Sequence, residues 1–576
     1  MSDDAYSQKA DDLFKKEVSA TRFFNGAILS IFLFSLWIKA IFPIYAIGWA
    51  THDDLLFIRL ATSIGSGHWL GNYDNLTHAK GIAYPVFIFL NHLTGLPLKL
   101  TEHALYLWSA LFFSSIIGTL YSKRYITIVT FLLLSFPPFI WSPVAARVTR
   151  EGLYVSLSLF LIALAIRCFV VSKHYSVAEE LHDKKLYLIL LGTVAGIYWL
   201  TREEGIWLLP SILIIISFWL WSRRHILRPW RMSLLFILTA LIPALLVVET
   251  VNSINYFKYG VFRNNDFRSS DFQAAYGSLA RIKQDHWQRY VIFPKDARER
   301  AYRFSAAARE LAPSLEGAQG NDWRNIGCDS TGITPCPEIL SGWFMWALRD
   351  AVAAAGHYSS AQEAQAFYRR LAAEIDVGCS REPTECLPNR ETMLPPWRQE
   401  YLLDTTLASW KIFNALISMG GDDVGLAHSV GNAQSLAQFA LITNGPLAST
   451  GAELKSVAAF KSHDVIRLTL AEFLAKTEEK IAFYGIPAAL ALWLIWVLIS
   501  ISRRKLDVGL IIVSSLVAAV GTRVILLGFL EATSIPSNNI LYLSPVMPIA
   551  LALVPTVFFG IMRNPSPSIS FATSNR

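Results

Sequence analysis

Thr51-His52-Asp53-Asp54-Leu55-Leu56-Phe57-Ile58-Arg59 follows directly on a long apolar run, residues 23–47. Two adjacent carboxylates at the mouth of a membrane-length stretch are costly. Insertion scales put a charged side chain within a span at roughly 2.5–3.5 kcal/mol, and those that persist line polar cavities or pathways. The pair therefore marks a polar cavity at the membrane rim, and the remaining sequence is scaffold around it.

The scaffold is a membrane protein by composition. Its 576 residues are 53% hydrophobic and 16% charged, with a mean hydropathy of +0.38, against about 25% charged residues in soluble proteins. The net charge of +7 calls for no nucleic acid, because the basic residues cluster between apolar runs. The first 22 residues are polar with charges of both signs, unlike a cleavable leader, so the first run acts as an uncleaved anchor.

A span takes about 20 apolar residues. Ten runs qualify or nearly so: 23–47, 101–121, 125–143, 152–171, 186–200, 205–221, 232–250, 481–501, 508–530 and 540–562. Short basic turns alternate with acidic ones. Lys123-Arg124, Lys173 to Lys185, Arg223-Arg224 through Arg231, Arg503-Arg504-Lys505 and Arg563 fall on one side. The positive-inside rule makes that side cytoplasmic, with both termini (1–22 and 563–576) on it. Asp53, Asp54, Glu151, Glu203, Glu204, Glu531 and the long 251–480 region then face outward. The expected fold is mostly α: a polytopic membrane protein of about 10 transmembrane helices, with a large, mainly helical extracytoplasmic domain (251–480) inserted between spans seven and eight. The membrane module is 23–250, its outer loop 48–100, and the C-terminal spans lie within 481–562.

Four of the five cysteines, Cys328, Cys336, Cys379 and Cys386, fall in that outer region, and Cys168 lies in an apolar run. An even set in one outer segment points to two disulfides, nearest-neighbour pairing being the simplest of three connectivities. A zinc site is the rival, without a C-x-x-C pair to support it. Within the region, Glu338–Gly356, Ser360–Val377, Asp404–Met419 and Ser462–Lys480 read as helices. In the first outer loop, Leu55, Ile58, Ala61 and Ile64 share a helical face and predict an interfacial helix closed by Gly65 and Gly67. A second short apolar helix follows Tyr84-Pro85.

The fifth run stops short of a crossing, at about 15 residues, and ends in Thr201-Arg202-Glu203-Glu204. That turn sits below the outer surface, where charged irregular backbone needs protein or a water-filled cavity around it. Arg523, in the outer third of the ninth run, makes the same point. A carboxylate beside a hydroxyl can act as general base, and an Arg or Lys can hold a phosphate and stabilise it as leaving group. Together these describe glycosyl transfer from a lipid-linked phosphate sugar. The plainer role for Asp53-Asp54 is helix capping, worth about 1 kcal/mol, for which one Asp suffices. For His52 and His68 the plainer role is interfacial hydrogen bonding.

The layout resembles the GT-C superfamily of integral-membrane glycosyltransferases, which includes the protein O-mannosyltransferases and the lipid A aminoarabinose transferase. The carriers are Asp53-Asp54 after the first span, the Gly67-His68-Trp69 element, Lys80 before Tyr84-Pro85, and Arg147-x-x-Arg150-Glu151. The resemblance implies Asp53 as catalytic base with Asp54 as close alternative, Glu151 orienting the acceptor or supporting the base, and Lys80 on the donor phosphate. Arg202 and Arg523 are further phosphate candidates by position, and Glu203, Glu204, His68, Tyr84 and Arg150 are candidates for the acceptor side of the cavity. It implies a polyprenyl-phosphate sugar as donor, a glycan, lipid or protein as acceptor, and a bacterial inner-membrane setting. No metal cofactor is expected, since the basic residues can neutralise one phosphate. The chain departs from the family in carrying its outer domain between spans seven and eight, and in having Glu at position 151 where Asp is common. An O-antigen polymerase or ligase is the rival within enzymes. A transporter or ligand-binding receptor is the rival outside them, although no paired halves of the transporter kind are present.

Overall fold

The structure is a computed structural model that describes residues 3–170, 177–202, 204–224, 230–390, 392–421, 424–425, 427–448, 462–562 and 569–570. It is almost wholly helical. The membrane module begins with α1 (Asp3–Lys39), α2 (Asp54–Gly65), α3 (Ala83–Thr94), α4 (Leu98–Leu120) and α5 (Arg124–Leu134). It continues through α6 (Glu151–Phe169), α7 (Val177–Thr201), α8 (Leu209–Arg223) and α9 (Trp230–Tyr259). Helices α10 (Ser270–Ala280), α11 (Lys295–Phe304), α12 (Ala306–Leu315), α13 (Ala318–Thr331), α14 (Ser341–Ala354) and α15 (Ala361–Arg381), in the region expected to face outward and called the outer helices for that reason, follow. Then come α16 (Tyr401–Ile417), α17 (Ala433–Thr443), α18 (Ser462–Arg503), α19 (Val508–Thr533), the single turn α20 (Ile540–Leu543) and α21 (Met547–Met562).

Each of the ten apolar runs contains a helix, and among the described residues seven stretches are long and apolar enough to cross a membrane: Ser19–Lys39, Leu98–Leu120, Glu151–Phe169, Gly205–Arg223, Arg231–Tyr259, Asp464–Arg503 and Val508–Thr533. The other three runs lie in shorter apolar helices or behind a charged start. Pro137-Pro138 removes two backbone donors, so the 125–143 run ends as helix at Leu134 and continues as a 3-10 turn, Pro138–Trp141. The last run breaks at Ser544-Pro545 between α20 and α21. In α7 the apolar half is preceded by Glu179 to Lys185, including the buried Glu180–Lys184 pair.

Two large cores organise the described residues, besides a small cluster of Tyr290, Val291 and Leu340. One fills the membrane bundle and includes α16 and α17 through Ile412, Leu416, Phe439 and Ile442. The other joins α10–α15. The first outer loop lies between them: Phe57, Ile58 and Ala61 enter the bundle core, whereas Leu56, Leu60, Leu70, Ala79 and Ile82 enter the outer one. The helix expected at the bilayer interface is thus wedged between two protein cores, because both of its faces are apolar. Two disulfides, Cys328–Cys336 and Cys379–Cys386, close short loops in the outer helices, and Cys168 is buried and free.

The chain leaving α1 is pinned by single parallel bridges from Ile44 to Leu447, Tyr45 to Arg147 and Ile47 to Val430. These bring the Asp53-Asp54 turn beside the segment before α6. Gly81 lets the following loop touch the end of α7, where a Cβ would stand 2.1 Å from the Leu200 carbonyl oxygen.

Candidate active site

Asp53 and Asp54 occupy different environments. The Asp53 side chain is 42% exposed, is paired with Lys80, and has Arg147 Nη2 at 3.7 Å. It makes no capping bond to the α2 backbone. Burial pushes its carboxyl up, but Lys80 and Arg147 outweigh that and hold it below the usual range. Asp54 is fully buried and accepts from Arg147 Nε at 3.1 Å and Nη2 at 2.6 Å. There burial wins, and its carboxyl is pushed up to about 6 despite the guanidinium. Asp53 is therefore the ionised, reachable carboxylate and Asp54 the anchored one. The Lys80 ammonium lies over the Phe57 and Trp346 rings, 4.9 and 5.6 Å from their centroids.

A second cluster joins the start of α6, the end of α7 and the interior of α19. Arg202 pairs with Glu151 and, at 3.1 Å, with Glu204, whose other oxygen accepts from Arg523 at 2.7 Å. Arg523, fully buried, also donates to the Tyr542 carbonyl at 3.0 and 2.7 Å. Burial opposes ionisation of Glu204, but Arg202 and Arg523 bring its carboxyl down to about 2. Arg150, just before α6, acts electrostatically on Asp53, Lys80 and Glu204, which ties the two clusters together. The cations expected to bind donor phosphate, Lys80, Arg202 and Arg523, each have a carboxylate partner.

Beside Glu151 a small cavity of about 70 Å³ runs into the bundle. Its polar wall includes Lys39, Lys99, Glu102, His103, Ser156 and Glu151, and its apolar wall includes Val155, Ile540 and Leu541. Lys99 and Tyr84 both donate to Glu102, each at 2.7 Å. Lys39 Nζ donates to the Ile140 carbonyl at 2.6 Å, and among the described residues no carboxylate lies within 4 Å of it. His103 Nδ1 and Ser156 Oγ are buried without a hydrogen-bond partner. A buried lysine amine that faces no carboxylate, beside polar atoms without partners, suits a polar, hydroxyl-bearing or anionic ligand.

Tyr84 thus belongs to the cavity through Glu102, and Glu204 to the cluster at its mouth. His68 does not belong: α2 ends at Gly65, and Gly67 at φ 78° turns the chain so that His68 lines an exposed groove with Tyr73, Tyr259 and Gln362. Glu203 lies outside the described residues. Lys39, Lys99, Glu102 and His103 were not among the expected residues. Their signal in the sequence is a Lys closing the first span and a Lys-x-x-Glu-His opening the second. Among the described residues no three His, Cys, Asp or Glu side chains gather so as to hold a metal ion.

No protein-family model and no curated protein matches the chain. Among solved structures, it is similar to ArnT from Cupriavidus metallidurans bound to undecaprenyl phosphate. The identity is 14%, the match covers 93% of this chain and 78% of that one, and the TM-score is 0.28. At that identity and TM-score no residue of one chain is assigned to a residue of the other.

Proposed function

We propose that the protein is an inverting glycosyltransferase of the GT-C kind. It moves a sugar from a polyprenyl-phosphate donor to a glycan, lipid or protein acceptor on the outer face of a bacterial inner membrane. One observation carries this: a reachable Asp53 held ionised by Lys80 and Arg147, coupled through Arg150 to a second charged cluster whose Glu151 lines a cavity in the bundle.

In the proposed reaction the acceptor hydroxyl attacks the anomeric carbon while its proton passes to the Asp53 carboxylate. The bond from that carbon to the phosphate oxygen breaks, and polyprenyl phosphate leaves with the electron pair. Asp54, fixed on Arg147, holds the turn that presents Asp53. Lys80 must release Asp53 as the acceptor enters, and is then free to face the phosphate. Arg202 and Arg523 keep Glu204 ionised, and Arg202 also holds Glu151 at the cavity wall. Lys39, lacking a carboxylate partner, meets the phosphate from below. These cations suffice for a single phosphate without a metal ion.

The test is to present purified protein in nanodiscs with radiolabelled polyprenyl-phosphate monosaccharides and cell-envelope extract. Time-dependent release of polyprenyl phosphate together with label in an acceptor supports the proposal. No release from any donor of the series counts against it.

A further inference from the structure

The chemistry above uses nothing from the outer helices, yet α14 reaches the acidic pair. Asp350, largely buried near the end of α14, accepts three hydrogen bonds. Its Oδ1 takes His52 Nε2 at 3.1 Å and Asn75 Nδ2 at 2.6 Å, and its Oδ2 takes Trp323 Nε1 at 3.0 Å. A carboxylate only accepts, so the His52 proton sits on Nε2, and Nδ1 faces the Thr51 hydroxyl at 3.0 Å. The His52 ring also meets the edges of Trp323 and Trp346, with centroids 4.7 and 5.3 Å away.

The placement matters because His52 precedes Asp53, and Asn75 lies five residues before Lys80. One carboxylate therefore holds both limbs of the loop that carries the Asp53–Lys80 pair. Trp346, one helical turn before Asp350 on the same face of α14, lies under the Lys80 ammonium. Arg349 adds a bond from Nε to the Asn75 carbonyl at 2.7 Å and is itself fixed by Asp266 at 3.0 Å.

We propose that Asp350 is a positioning residue. Through His52 and Asn75 it sets the separation of Asp53 and Lys80, so the outer helices complete the active site instead of standing apart from it. This rests on Asp53 being the base. Replacing Asp350 by Asn leaves one acceptor oxygen for donors that now use two, so at least one donor must face an NH2 group.

The experiment compares full-length Asp350→Asn and His52→Gln with the parent protein in nanodiscs, with Asp376→Asn as control. Asp376 pairs with Arg281 elsewhere in the outer helices. Hydrogen exchange followed by mass spectrometry needs no substrate. Peptides over 49–58 and 72–82 should exchange about tenfold faster in both test variants and unchanged in the control. In transfer assays kcat should fall about 10- to 100-fold while KM for the donor stays within about twofold. Parent-like exchange and kcat in His52→Gln, which leaves α14 intact, would overturn the proposal, as would an equal loss in Asp376→Asn. Parent-like transfer in Asp53→Asn overturns the base assignment instead, and leaves the exchange result standing.

Discussion

Arg147 grips Asp54 through two hydrogen bonds, at 3.1 and 2.6 Å, and approaches Asp53 only to 3.7 Å. One guanidinium thus divides two neighbouring carboxylates into a buried anchor and a half-exposed neighbour. The division follows from helix geometry: Asp54 begins α2 and points into the bundle, whereas Asp53 stays outside the first turn.

Asp54→Ala should therefore act on stability before chemistry. It strands a mostly buried Arg147, and breaking a buried pair by removing one partner costs about 3–5 kcal/mol. Thermal unfolding in detergent should show a clear drop in Tm, absent in Asp53→Ala.

Glu204 gives a pH signature. Its carboxyl ionises near 2 in the folded protein instead of near 4.5, so the folded state binds fewer protons than the unfolded one between those values. Its contribution is full above about pH 4.5 and is lost as pH falls toward 2, amounting at most to about 3 kcal/mol. Acid titration of Tm should fall less steeply in Glu204→Gln. An identical slope would contradict the two-arginine arrangement around Glu204.

Lys39 should govern donor binding. Lys39→Met removes the cavity's amine that faces no carboxylate while keeping an unbranched side chain of nearly the same length. KM for the donor, or the inhibition constant of free polyprenyl phosphate, should rise about 10- to 100-fold, the loss of one charge-assisted contact of about 1.5–3 kcal/mol. Inorganic phosphate as a competitor separates headgroup recognition from lipid recognition.

Much of this was legible in the chain. Apolar runs became helices, basic turns alternated with acidic ones, and neighbouring cysteines paired as the simplest connectivity predicts. Asp53, Lys80, Glu151, Arg202 and Arg523 were visible because charge beside apolar sequence is costly and so conspicuous. Lys39 and His103 were hidden for the converse reason: a single polar residue near a span's end reads as snorkelling or capping. Periodicity showed that α2 had an apolar face but not that a second apolar face met a second core. The His52–Asp350 contact, spanning 298 residues, has no local signature at all. His68 misled because its Gly-x-Trp setting carries no information about which way the chain turns after Gly67.

The central claim is that Asp53 takes the acceptor's proton. The most direct measurement is the single-turnover rate of sugar transfer by Asp53→Asn and Asp54→Asn in nanodiscs at saturating donor. Loss of general base catalysis should slow Asp53→Asn by about 10²- to 10⁴-fold with donor binding retained. Asp54→Asn should be slowed far less once corrected for its folded fraction. Parent-like transfer by Asp53→Asn, or the reverse order of the two variants, would contradict the account.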